Sequence, residues 1–192
     1  MRPMSMIQGA FAASLAAMLL STAGCTTTTG ESDPAARRAA INAGVDDALA
    51  SLYTQVEGSK QLVAQARGVL VFPNVLSAGF MVGASRGDGA LRVGGATRSF
   101  HATTSGSFGL QAGAQSTAVF MLFMTEDALT RFQNSNGWTA GVDASVTLIS
   151  VGASAQVTTV TGQQPVIGYV LSNRGLMAGV SLEGARITRL SL

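Results

Sequence analysis

The sequence predicts an α+β fold: a single glycine-rich, mainly antiparallel β domain, curved or barrel-like, with an N-terminal amphipathic helix and two or three short helices. Three observations predict it. Apolar residues recur at helical spacing between Asp33 and Ala66. From Val69 onward, short apolar or alternating segments rich in Gly, Ala and Ser take over. The chain also holds 23 glycines, many for ordinary strands, where Gly forfeits packing and backbone entropy, and this implies close approach of backbones.

Residues 1–24 read as a lipoprotein export signal. Arg2 precedes an apolar run that is too short and alanine-rich for a membrane span and ends in the small residues Ser21, Thr22, Ala23 and Gly24. The chain's single cysteine, Cys25, follows where a bacterial lipoprotein signal needs a thiol to accept a diacylglyceryl thioether. Lipidation of Cys25 explains the lone thiol, leaves none for a disulfide, and anchors the protein in a bacterial cell envelope. Thr26, in place of the Asp that retains enterobacterial lipoproteins at the inner membrane, points to the outer membrane, on its periplasmic face or the surface. Residues 25–32 form a flexible tether, and residues 33–192 form the domain with its N-terminal helices.

Asp33 and Pro34 mark a helix N-terminus. Ile41, Val45, Ala48, Leu49, Leu52 and Val56 give this helix one apolar face, opposite Arg38, Asn42, Asp46 and Ser51. That face suits either core packing or a membrane surface. A second helix runs from Ser59 through Leu62, Val63 and Ala66, ending at a left-handed Gly68. Residues 69–72 read as a buried strand stopped by Pro73-Asn74, and 79–85 pair with 90–93 across the turn Arg86-Gly87-Asp88-Gly89. Residues 108–115 alternate, with Phe108, Leu110, Ala112 and Ala114 facing inward, whereas 119–124 are apolar throughout and buried on both sides. Thr125, Glu126 and Asp127 open a short helix through Leu129 and Phe132, ended by residues 134–137. Strands are expected at 142–148, 151–157, 166–172 and 177–182.

Twelve basic against ten acidic residues are too balanced for a nucleic-acid binder. Before residue 60, Glu31, Asp33, Asp46, Asp47 and Glu57 outnumber Arg37 and Arg38, whereas nine basic residues face five acidic ones from Lys60 onward. A modestly cationic body suits weak attraction to anionic surfaces. Catalysis has little footing. Gly83-Ala84-Ser85-Arg86-Gly87 fits G-x-S-x-G, but a nucleophile elbow needs a strand-to-helix turn and a later histidine, and His101 follows too closely. His101 is expected at the surface or a strand end. Arg86-Gly87-Asp88 is accounted for by turn chemistry, and Gly87-Asp88-Gly89 lacks the rest of a phosphate loop. One His, one lipidated Cys and scattered carboxylates supply no metal set, so no enzyme, metal or cofactor is expected.

Arg67-Gly68-Val69-Leu70-Val71-Phe72-Pro73, Ala78-Gly79-Phe80, the run from Gly106 to Ala114, and Arg174-Gly175-Leu176-Met177-Ala178-Gly179-Val180-Ser181-Leu182-Glu183-Gly184 resemble, in order and spacing, the SYLF domain family. The resemblance reaches from the second helix to the C-terminus. It implies a lipid-binding module, in a family whose eukaryotic members bind phosphoinositides and in part actin. It places Arg67 and Arg174 at the family's basic-Gly-hydrophobic positions and the preceding helix at a membrane-contact position. With Lys60 and Arg86, these arginines are the expected contacts to an anionic phospholipid headgroup or membrane surface. The alternative is a structural or interaction lipoprotein that recognises another envelope protein and has no lipid site beyond its anchor.

Overall fold

A computed structural model of the chain describes residues 33–149, 164–172, 175–177 and 181–192. The signal, Cys25 and the whole of the expected tether lie outside these residues. Pro34–Leu192 makes one compact unit.

Helix α1 (Pro34–Gln55) starts at a proline, whose missing N–H costs nothing in a first turn. Its buried residues Ile41, Val45, Ala48 and Leu52 recur at three- and four-residue spacing and pack with Val71, Ala90, Phe120, Leu122, Ile167 and Tyr169 of the sheet. The apolar stripe that suited either core or membrane is therefore covered by the sheet. Helix α2 (Ser59–Gln65) follows Gly58, which is left-handed at φ 78°. Ser59 does not cap it; its buried hydroxyl donates to the Leu52 carbonyl at 3.1 Å and ties α2 to α1. The left-handed glycine expected behind α2 thus lies in front of it. Gly68 instead begins β1, where a Cβ would come within 2.7 Å of Leu129 Cδ1.

Strands β1 (Gly68–Val93) and β2 (Ala96–Phe123) pair antiparallel from end to end. They turn at Gly94-Gly95, with φ of 58° and 81°, the backbone that a two-residue hairpin demands and glycine adopts without a Cβ penalty. Two expectations are corrected here. Pro73-Asn74 does not stop the strand but sits in a register shift between Phe72 and Val75, where a residue without an N–H is tolerated. Arg86, Gly87, Asp88 and Gly89 form no turn, since they pair with Thr104, Thr103, Ala102 and His101. Their glycines serve proximity, because β1 doubles back over its own beginning. A Cβ on Gly89 would drive into the Val71 carbonyl oxygen and lie 2.6 Å from Phe72 Cδ1, and one on Gly87 would lie 2.8 Å from the Asn74 oxygen.

The remaining strands are β3 (Trp138–Thr139), β4 (Thr147–Leu148), β5 (Val166–Ser172), β6 (Gly175–Leu176) and β7 (Arg186–Leu190). Among the described residues they complete a seven-stranded sheet with the path β3-β7-β2-β5-β4, β1 on β2 and β6 on β5. Residues 118–123 of β2 pair with β5 and residues 100–104 pair with β7, both antiparallel; β4 on β5 is parallel. The sheet curls into a half-barrel. Residues 119–123 are buried on both sides, as expected. Phe120 and Leu122 face α1 and α2, while Val119, Met121 and Phe123 join Leu129, Phe132, Trp138 and Ile187. Helix α3 (Glu126–Asn134) is capped by Thr125, whose hydroxyl accepts from the Ala128 N–H at 3.2 Å.

Further expectations need correction. Of the strand at 142–148 only β4 forms, because the chain turns at Gly141 and the Asp143 carboxylate accepts from the Thr139 N–H, leaving Val142 exposed. Ala114 is exposed, not inward-facing. Residues 151–157 and 178–180 lie outside the described residues, and β7 has no counterpart among the expected strands. His101 is not peripheral either. It lies within β2, only 4% exposed, hydrogen-bonded with Ser99 Oγ at 2.8 Å, its ring 5.0 Å from that of Phe132. Burial, and secondarily the Arg189 charge, lowers its pKa from 6.5 to about 4.

Two predictions follow from this packing. Gly89→Ala should cost more than about 2 kcal/mol in urea unfolding, whereas Gly106→Ala, whose Cβ meets nothing within 4 Å, should change stability by less than about 1 kcal/mol. Equal effects would mean that β1 does not double back. For His101, the unfolded chain takes up its proton near pH 6.5 and the folded chain only near about 4, so this contribution is intact above that window and is lost as pH falls through it. The loss should reach at most about 3 kcal/mol, and the decline between pH 6.5 and 5 should vanish in His101→Gln. A decline that persists in the variant would assign it to other groups.

Candidate anionic-lipid surface

The arginines of the domain divide into two sets. One set braces the fold. Arg37 Nη2 lies 2.6 Å from Asp88 Oδ2 and so links α1 to β1. Arg92 Nη2 lies 2.8 Å from Asp46 Oδ1 and donates to the Asn42 carbonyl, while Thr97 donates to Asn42 Oδ1 at 2.7 Å. Arg131 pairs with Asp127 one helical turn away, at 3.0 Å. Asp46 of α1, which the sequence suggests would weaken membrane attraction, thus helps dock the helix on the β1–β2 hairpin.

The other set has no side-chain carboxylate in an ion pair among the described residues: Arg38, which donates to the Leu192 carbonyl at 2.9 Å, and Lys60, Arg67, Arg86, Arg98, Arg186 and Arg189, all exposed. Lys60 lies in the first turn of α2, and Arg67 follows that helix, its backbone N–H donating to the Phe123 carbonyl at 2.8 Å. Arg86 lies on the sheet within β1. Cys25 and Arg174 lie outside the described residues. Lys60 and Arg67 therefore flank one helix, whereas Arg86 belongs to a different element.

Sheet register gives Arg86 new neighbours. It pairs with Thr104, Thr104 pairs with Arg186, and Arg186 pairs with Thr139, so one row crosses β1, β2, β7 and β3 on a single face. The adjacent row, Gly87, Thr103, Ile187 and Trp138, points the other way and is buried. Asp88, two residues along on the face of Arg86, is held by Arg37. The Arg186 guanidinium lies over the backbone of Gly137, where a Cβ would come within 2.9 Å of Nη2. Arg186 and Thr104 are absent from the sequence-derived set. The alternation in Arg-Ile-Thr-Arg-Leu is a weak strand signal, and only the pairing reveals what it stands beside.

Ser85 lies in mid-strand, its hydroxyl 2.6 Å from that of its cross-strand partner Ser105, so the strand-to-helix geometry of a nucleophile elbow is not present there. Among the described residues no group of three or more His, Cys, Asp or Glu side chains converges, and no helix is long and apolar enough to cross a membrane. No curated protein matches the chain. Residues 104–191, from within β2 to just past β7, match the family model Ysc84, described as Las17-binding protein actin regulator. The match spans the strands on which Thr104 and Arg186 stand, and over these residues the chain is similar to the Ysc84 (SYLF) family.

Proposed function

We propose that the protein is a non-catalytic lipid-binding lipoprotein of the bacterial cell envelope, anchored through Cys25, whose domain contacts anionic phospholipid headgroups through exposed basic residues. The observation that carries this is the partition of charge: fold-bracing arginines are matched with carboxylates, while Lys60, Arg67, Arg86 and Arg186 are exposed without one among the described residues. Each basic residue near an anionic surface contributes about 1 kcal/mol, screened by salt. Since the apolar stripe of α1 packs in the core, headgroup charge rather than helix insertion supplies the contact. Acyl chains on Cys25, at about 0.8 kcal/mol per buried methylene, would hold the protein at the membrane already, so even a weak domain site would be occupied at the resulting effective concentration. Thr26 favours the outer membrane.

A second reading, recognition of another envelope protein, has support in Leu76 and Val142, large apolar side chains that stand 56% and 79% exposed. The family description, which names binding to a protein, also fits it.

The test is sedimentation of residues 31–192, without the anchor, with vesicles of neutral lipid alone or neutral lipid plus phosphatidylglycerol, across a salt series. Binding should require the anionic lipid and fall with salt. Arg67→Glu with Arg174→Glu should weaken it at least about tenfold at low salt. Absence of binding to either vesicle would move the assignment to the protein-partner reading.

A further inference from the structure

We propose that Arg86, Thr104 and Arg186 form one site for a phosphate-class oxyanion, which in a membrane setting is the phosphodiester of an anionic lipid headgroup. This source of the ligand rests on the lipid-binding function proposed above; the site itself rests on register. Arg86 and Arg186 stand on the two strands that flank Thr104, directly opposite it in both pairings. Strands lie about 4.8 Å apart, so the two arginine Cα atoms are separated by about 10 Å with a hydroxyl between them. Two guanidinium groups on long side chains close on one tetrahedral anion from either side, each able to offer a two-pronged donor set, while the threonine hydroxyl donates from below.

The surroundings keep this row available. Asp88, the carboxylate on the same face of β1, is held by Arg37, and Asp143, beyond the far end of the row, accepts from the Thr139 N–H. On the other flank stand Ala84 and Gly106, both exposed and small. A Cβ on Gly106 would meet nothing within 4 Å, so the approach over that side is open. Arg186 rests on the backbone of Gly137, and its movement toward an anion breaks no ion pair among the described residues. The other exposed cations among the described residues lack this arrangement: Arg38 donates to the Leu192 carbonyl, Lys60 and Arg67 stand at the two ends of α2, Arg98 sits beside the hairpin turn, Arg131 pairs with Asp127, and Arg189 is paired with His101.

The test uses the full chain with Cys25→Ser, measured in two arms. In the first, affinity for vesicles of phosphatidylcholine with phosphatidylglycerol is compared for the parent, Arg86→Gln, Arg186→Gln, the double variant and Arg98→Gln. Each single change in the row should weaken binding about fivefold. The double variant should lose little more than either single one, because both arginines serve one anion, and Arg98→Gln should change affinity less than twofold. Arg86→Lys with Arg186→Lys keeps the charge and should not restore full affinity, since the planar fork is lost. In the second arm, millimolar inorganic phosphate at constant ionic strength should shift the Nε–Hε resonances of Arg86 and Arg186, where chloride does not. Phosphate shifts without vesicle binding would keep the site, assign it to free phosphate and remove the lipid function. Vesicle binding that survives the double variant, additive losses, or losses equal to that of Arg98→Gln would overturn the site and leave lipid binding to diffuse charge. No shift with phosphate and no vesicle binding would overturn both.

Discussion

The approach of the Gly89 backbone to the Val71 carbonyl is the contact on which the rest of the sheet depends. A two-stranded ribbon as long as β1 and β2 has no core of its own, since each of its faces meets solvent. Doubling back converts the ribbon into part of a curled sheet, with its beginning packed under a later stretch of the same strand. The outer edge of β2 is then used twice, by β5 along residues 118–123 and by β7 along residues 100–104. Register shifts in the hairpin, one of them at Pro73-Asn74, bend the ribbon where backbone pairing is already interrupted.

Burial and charge are divided between the helices and the sheet. α1 gives its apolar stripe to one core cluster and uses Asp46 and Arg37 to hold the hairpin, so its charges act as internal fasteners. These ion pairs are partly exposed, and each contributes on the order of 1 kcal/mol or less. Their larger effect is on the surface that remains: each carboxylate used in bracing is one fewer to neutralise the arginines outside. A net charge of only +2 therefore understates the local potential over the sheet, where Arg86 and Arg186 share a face.

The sequence was most informative where a single periodicity governs a segment. α1, α3 with its Thr125 cap, β5 and the doubly buried end of β2 all follow from spacing and capping chemistry that act over a few residues. It misled where local chemistry has two explanations. Arg-Gly-Asp-Gly is good turn material, yet Gly87 and Gly89 are glycines because another part of β1 lies against them, a cause 12 to 18 residues away that no short window contains. The true turn, Gly94-Gly95, offers the same glycine signal. The candidate site divides the same way. Arg86 stands out as a basic residue in the sequence, but its partners are set by pairing with residues 18 and 100 positions further along. His101 was misplaced because burial of a neutral imidazole against Phe132 leaves no mark on the pattern around it.

The pairing of β7 with β2 joins residues such as Phe100 and Leu190, ninety positions apart, whereas the hairpin closes over two glycines. Contacts so different in sequence separation form on different timescales: local pairing is early, and the distant strand joins after its loop-closure entropy has been met. Arg186 rides on that late strand. A half-folded chain would carry both arginines but would not hold them on either side of Thr104. Anion recognition on this face is thus conditional on completion of the sheet, and the site reports on the maturity of the molecule as well as on what lies outside it.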